Sequence, residues 1–288
     1  MVSPPRPSGL AFLLAVSALA GTGPARSGAA PPPEPPAVAE RFPTAVPSQV
    51  LVVQDVASGD PVRASPEEAA REEPFPLGGL EHVFELLGAI DEGLLDPGDT
   101  FPCDSTCWAA GGHGEVTGVS ALAWSCDSFF PALARRAGER ALAGAASRAA
   151  RDAGLGDRRV DGRPAATVDE VAGFWRALVR GRLPFSDLAT AQLLAAAGNA
   201  VHSPRGTARA LDDSRSTVRA LPVAAGDGAW VVGEKRLANG RRWVFALRLG
   251  GGDPRLATVR ADELLRETLR AFSRSTRERG GEPWPLEE

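Results

Sequence analysis

Tyrosine does not occur in this sequence, methionine occurs only as Met1, and Lys235 is the single lysine among 32 basic residues. A codon preference for arginine in a GC-rich coding sequence accounts for that skew. It has a chemical consequence all the same: any reaction that needs a lysine base or a lysine Schiff base has one residue to draw on. Histidine is scarce too, with three residues, and cysteine likewise. The net charge is −4 and the arginines are spread along the chain, so no dense basic cluster argues for nucleic acid. Beyond the first twenty residues no apolar run is long enough for a membrane-spanning helix. What is present is 43% hydrophobic residues in 288, enough for one sizeable core.

The first residues have the composition of an export signal. Arg6 supplies a short positive start, Leu10 to Ala20 is apolar, and Ala18-Leu19-Ala20 puts small residues where a signal peptidase cuts. We read residues 1–20 as a signal peptide, with an uncleaved anchor as the alternative and the only expected membrane contact. Residues 21–48 are rich in Pro, Ala and Gly, as in Pro31-Pro32-Pro33-Glu34-Pro35-Pro36, and cannot bury a core; they read as a linker. Residues 49–288 form the domain.

Cys103, Cys107 and Cys126 are the only cysteines. Export favours a disulfide, with one thiol left over. With His113 the three also make a Cys3His set for zinc, although Cys-x3-Cys-x5-His-x12-Cys is not a sharp zinc spacing. The expectation is no metal and no cofactor.

Along the domain, Val50 to Val56 is a β-rich run, Ser58-Gly59-Asp60 a turn, and Pro61 to Ala64 a returning strand. Leu80 to Glu92 has helical spacing, with Val83, Leu86, Leu87 and Ile90 on one face and Gly93 as a stop. Residues 96–118 read as irregular. Helices are expected over Val119 to Gly138 with a break near Pro131, Glu139 to Ala153, Thr167 to Arg180 behind a Thr167/Glu170 capping box, and Ser186 to Ala197. Ala229 to Val232 and Arg242 to Leu249 are strand-like around an Ala238-Asn239-Gly240 turn, and Asp262 to Arg277 is a last amphipathic helix. Strands, a helical middle, strands and a helix predict an α+β fold: a β-sheet flanked by helices, with a mostly helical lobe.

Several phrases in this order are similar to the transpeptidase domain of class B, elongation-type penicillin-binding proteins, within the serine β-lactamase/transpeptidase-like superfamily. They are Leu51 to Gly59; Pro76-Leu77-Gly78 before a helix ending Ala89-Ile90-Asp91-Glu92-Gly93-Leu94; Cys103, Cys107-Trp108 and Gly112-His113-Gly114; Trp124-Ser125-Cys126-Asp127-Ser128-Phe129-Phe130; and Gly206-Thr207-Ala208. The resemblance covers residues 50–250 and implies the family's three motifs: Ser-x-x-Lys for nucleophile and base, Ser-x-Asn for proton relay, and Lys-Thr-Gly for the substrate carboxylate.

Two of the three are missing. Alignment puts Gly79 at the serine and His82 at the lysine, and Val232 stands three residues before the one lysine, so no Ser-x-x-Lys exists anywhere. The second motif survives as Ser125-Cys126-Asp127; its residues could equally serve as helix-start polar groups. The third aligns with Gly226-Asp227-Gly228, or in a later register with Gly233-Glu234-Lys235-Arg236. Either register sets an acid where a carboxylate should be attracted. His82 without a neighbouring nucleophile reads as a polar helix-start residue. The resulting expectation is a non-catalytic, exported homologue that binds a cell-wall protein or peptidoglycan. The alternatives are a rewired acyltransferase using Ser125 or a His82 base, and a metal-binding module.

Overall fold

The computed structural model describes residues 48–103, 107–109, 111–212, 217–226, 228–251 and 253–278. The expected signal peptide, nearly all of the linker, and Asp227 lie outside the described residues. In chain order the elements are β1 (Gln49–Asp55), β2 (Pro61–Ser65), α1 (Glu67–Glu72), β3 (Phe75–Pro76), α2 (Glu81–Asp91), β4 (Phe101–Cys103), β5 (Gly114–Val116), α3 (Gly118–Ala123), α4 (Phe129–Ala137) and α5 (Glu139–Asp152). Then follow β6 (Arg159–Val160), β7 (Arg163–Ala166), α6 (Val168–Val179), α7 (Asp187–His202), β8 (Thr217–Ala224), β9 (Gly228–Arg236), β10 (Arg242–Gly250) and α8 (Pro254–Glu278). A 3₁₀ turn, Gly78–Leu80, leads into α2.

Five strands make one antiparallel sheet in the order β2-β1-β10-β9-β8. Its central strands β9 and β10 are buried along nearly their whole length, which requires cover on both faces. On one face α8 packs, with Phe272 edge-on to Trp243 at 5.6 Å. On the other lies α6, and Trp230 there donates its indole N–H to the Pro76 carbonyl at 2.9 Å. The β1–β2 turn is held by Asp55, whose carboxylate accepts from the amides of Ala57 at 2.9 Å and Ser58 at 3.2 Å.

The second lobe is built around α2. Val83, Phe84, Leu86, Leu87, Ala89 and Ile90 are all buried, so this helix is apolar around most of its circumference, as a central helix must be. Full burial stabilises each such large side chain by about 1.5–3 kcal/mol relative to exposure. Gly88 lets α5 come close: a Cβ there would lie 2.6 Å from the Ala145 carbonyl. The predicted Thr167/Glu170 capping box is present at the start of α6.

The α+β architecture expected from the sequence is the one observed. Some boundaries differ. The break expected near Pro131 falls instead at Trp124–Ser128; Pro131 sits in the first turn of α4, where its missing N–H leaves no bond unmade. α7 continues to His202 and α8 begins at Pro254. The segment read as irregular contains the short β4–β5 hairpin. β8 carries Pro222 because it is an edge strand, where a proline needs no ladder bond on its open side.

Candidate functional site

Between the β8 edge and the helical lobe lies a cavity of about 510 Å³, with Gly79, His82, Ser125, Asp127, Val223 and Arg255 among its walls. Gly79 lies in the 3₁₀ turn and His82 in the first turn of α2, so the two positions aligned with a nucleophile and its base do border one space. The space at Gly79 is closed. A Cβ built there would be 2.9 Å from Val223 Cβ and 3.0 Å from the Ala224 carbonyl oxygen. The His82 ring stacks on Phe130, centroids 4.0 Å apart, and its Nδ1 meets Glu85 at 2.6 Å. Neighbouring Glu81 titrates above the usual carboxylate range because it is buried, with Glu85 nearby adding to the effect.

Ser125 and Asp127 also border the cavity. Ser125 ends α3 in a Schellman turn: the Cys126 amide donates to Ala121 at 2.8 Å and the Ser125 amide to Leu122 at 3.3 Å. This places Ser125 at φ +50°, where glycine is the usual residue. Its hydroxyl donates across the cleft to the Pro222 carbonyl at 3.4 Å. That contact ties the helical lobe to β8. It does not present the hydroxyl to a base.

The strand bordering the cleft is β8, through Val223 and Ala224, and this differs from the sequence alignment of the third motif. Gly226 lies in the β8–β9 turn at φ +62° and Gly228 opens β9; neither borders the cavity. Gly228 is needed for packing, since a Cβ there would lie 2.0 Å from a guanidinium nitrogen of buried Arg248. The later register fails as well. Lys235 is buried in β9 opposite Val218, five residues along β8 from Val223, or about 17 Å. Glu234 beside it pairs with Arg219 and Arg242. Gly206-Thr207-Ala208 serves to join α7 to α3: the Thr207 hydroxyl donates to Ala123 at 3.1 Å and the Ala208 amide to Ala200 at 2.8 Å.

No disulfide joins the three cysteines, in contrast to the expectation, and they converge with His113. The ligand atoms of Cys103, Cys107, His113 and Cys126 lie within 4.8 Å of one another, all four residues buried. His113 Nδ1 is 3.4 Å from both Cys103 Sγ and Cys107 Sγ. A tetrahedral zinc, with bonds of about 2.3 Å to sulfur and about 2.0 Å to nitrogen, has ligand–ligand edges of roughly 3.5–3.8 Å. The four groups are thus near the required spacing. Burial, and then Arg205, hold the His113 imidazole below its ordinary value, which keeps it in the neutral, ligating form. Burial pushes the Cys126 thiol up to about 12. Burial also raises Cys103, but hydrogen bonds, first from the His113 backbone, bring it below its ordinary value. A dication held by the four groups would favour the thiolate forms that ligate it.

Two groups around this site escaped the sequence reading. The Trp108 indole N–H donates to the carbonyls of Trp124 at 3.0 Å and Ser125 at 2.8 Å. Arg255 lays its guanidinium over the Trp108 ring, 4.5 Å from the centroid. The signal for Arg255 was available: Asp253-Pro254 is a helix start, and the Asp253 carboxylate accepts the Arg255 amide at 2.7 Å.

Solved structures similar to this chain include several β-lactamases. They include BPu1 β-lactamase, at 16% identity over 78% of this chain and 92% of that one with a TM-score of 0.60. The class D β-lactamase YbXI from Nostoc matches at 16% identity over 78% and 94%, TM-score 0.60. The class D β-lactamase from Bacillus subtilis matches at 14% over 78% and 92%, TM-score 0.59. The chain therefore has the serine β-lactamase/transpeptidase-like fold. No family model and no curated protein matches the sequence.

Proposed function

We propose that this chain is an exported, catalytically silent relative of the penicillin-interacting enzymes, acting by non-covalent binding of a cell-wall component, either a wall protein or peptidoglycan. One observation carries the reading. Gly79, at the position aligned with the nucleophile, offers no hydroxyl, and Val223 and Ala224 occupy the space that any side chain there would need. The absence of lysine near the cleft supports it, because the one lysine is about 17 Å along the sheet. An open cavity with Trp108, Phe130 and Leu122 beside polar Asp127 and Arg255 is suited to non-covalent binding. The Ser125 alternative loses support because its hydroxyl is directed at Pro222. Glu85 orients the His82 ring through Nδ1, but Gly79 one turn away offers that base no hydroxyl. The test is intact mass of the purified protein after incubation with a fluorescent penicillin, with circular dichroism to establish folding. No covalent adduct is expected. A stoichiometric adduct would refute the proposal, and mapping it would identify the nucleophile.

A second reading concerns the tetrad, and its buried geometry favours it: Cys103, Cys107, His113 and Cys126 hold a structural zinc ion. Four protein ligands leave no open position, so the metal orders the loop and does no chemistry. Metal analysis is expected to give one zinc per chain. Free zinc at about 100 times Kd stabilises by about 2.7 kcal/mol. In a domain of this size chelation should then lower Tm by about 5–10 °C. A stoichiometry near zero in reduced protein removes this reading.

A further inference from the structure

We infer that the tetrad controls the shape of the cavity: metal occupancy at the four ligands fixes the Trp108 wall, and the two sites are thermodynamically coupled. The inference rests on the reading that the tetrad takes a divalent metal, and it adds a consequence for the neighbouring cleft.

Two of the four ligands belong to the cavity's own framework. Cys126 borders the cavity, with Ser125 and Asp127 on either side of it in sequence, and Cys107 is followed directly by Trp108. The His113 ring lies against both indoles, 5.3 Å from Trp108 and 5.7 Å from Trp124. The tetrad is thus the back of a wall whose front faces the cleft.

Side chains hold much of this wall. Among the described residues from Cys107 to His113, one backbone hydrogen bond between them is present, from the Gly112 amide to Ala109 at 2.8 Å. Among the described residues, side-chain contacts on this segment include the tetrad, the two Trp108 indole bonds, Arg255 over the Trp108 ring, and Arg205, which donates to the His113 carbonyl at 3.1 Å. A closed metal site would replace weak thiol contacts with four coordinate bonds and so restrain Cys107 and His113, which flank and pack on Trp108.

Ser125 supplies an independent observation. A non-glycine residue at φ +50° is in a sparsely populated conformation and persists where its surroundings hold it. Here the Schellman turn sets that conformation through the amides of Ser125 and Cys126, and the Trp108 indole and Pro222 contact the same residue. The strained residue is the one linking tetrad, indole and β8, so a change at the tetrad has a short path to the cleft. Linkage then requires the effect to run both ways: whatever fixes Trp108 tightens metal binding.

The test uses protein labelled with 5-fluorotryptophan, which gives six indole fluorine signals. Trp108→Phe and Trp124→Phe assign the two of interest. In reduced protein stripped by chelator, one equivalent of Zn2+ is expected to shift and sharpen the Trp108 signal. The signal of Trp243, packed on Phe272 on the other face of the sheet, should stay in place. Cys103→Ser with zinc present is expected to reproduce the stripped signal, although Cys103 does not border the cavity. Should that variant fail to fold, the stripped wild-type protein carries the comparison. Trp108→Ala, which removes no ligand, is expected to weaken zinc binding about fivefold or more. Zinc bound at one per chain with an unmoved Trp108 signal, or with unchanged affinity in Trp108→Ala, overturns the coupling and leaves the metal reading standing. No zinc uptake removes the metal reading and the coupling with it.

Discussion

A Cβ at position 79 would sit in contact with Val223 and Ala224 at distances that folded proteins avoid. A serine side chain at this position therefore has no room unless β8 moves. Gly79→Ser is expected to form no penicilloyl adduct by intact mass. It should also destabilise the protein by about 1–3 kcal/mol, read as a fall in Tm, because the added atoms press on β8. A stable, acylated variant would show that β8 yields and that the closure is shallow. At this scale the sequence was partly legible. It identified Gly79, His82, Ser125 and Asp127, and these do share one cavity. It set Gly226 and Gly228 in the cleft, whereas one forms a turn and the other makes room for Arg248. A glycine required by packing against a distant arginine looks, in sequence, the same as a glycine left over from a motif.

Elements were legible where local chemistry agreed with their environment. β1, α2 and α6 carry strong periodicity or capping signals, and all three are present. β4 and β5 have three residues each and are defined by their cysteine- and histidine-bearing surroundings, which no periodicity reports. β8 was obscured by Pro222, a residue that argues against a strand until the strand is known to be at an edge. The β1–β2 turn gives a prediction at this scale. Burial raises the Asp55 carboxyl, but the Arg241 hydrogen bond and the turn amides outweigh it, so the group titrates below the usual carboxylate range. A lowered folded-state value stabilises above the unfolded value of about 3.9, and that stability is lost as pH falls through the folded value. Asp55→Asn is expected to cost about 1–3 kcal/mol at pH 7 in urea unfolding. The difference from wild type should narrow below about pH 4; a difference that stays constant would mean that Arg241 does not set the titration.

For the whole molecule, fold class was readable because the order of strand-like and helix-like segments is a global pattern. The tetrad was readable only as a set of four residues standing beside a disulfide alternative. Its ligands come from the end of β4, the following loop, the approach to β5, and the turn after α3, and only the packed lobe brings them together. Pro222 has a consequence at this scale. Its carbonyl takes the Ser125 hydroxyl and so points away from β9. In an antiparallel strand the N–H of the same residue would point the same way, and proline has none. The outer margin of the sheet is thus blunted where it meets the cleft: one acceptor is occupied and one donor is lacking. An extended peptide could not zip onto this margin as a sixth strand. A partner in the cleft would have to be gripped by side chains, which makes recognition there a matter of shape and not of backbone templating.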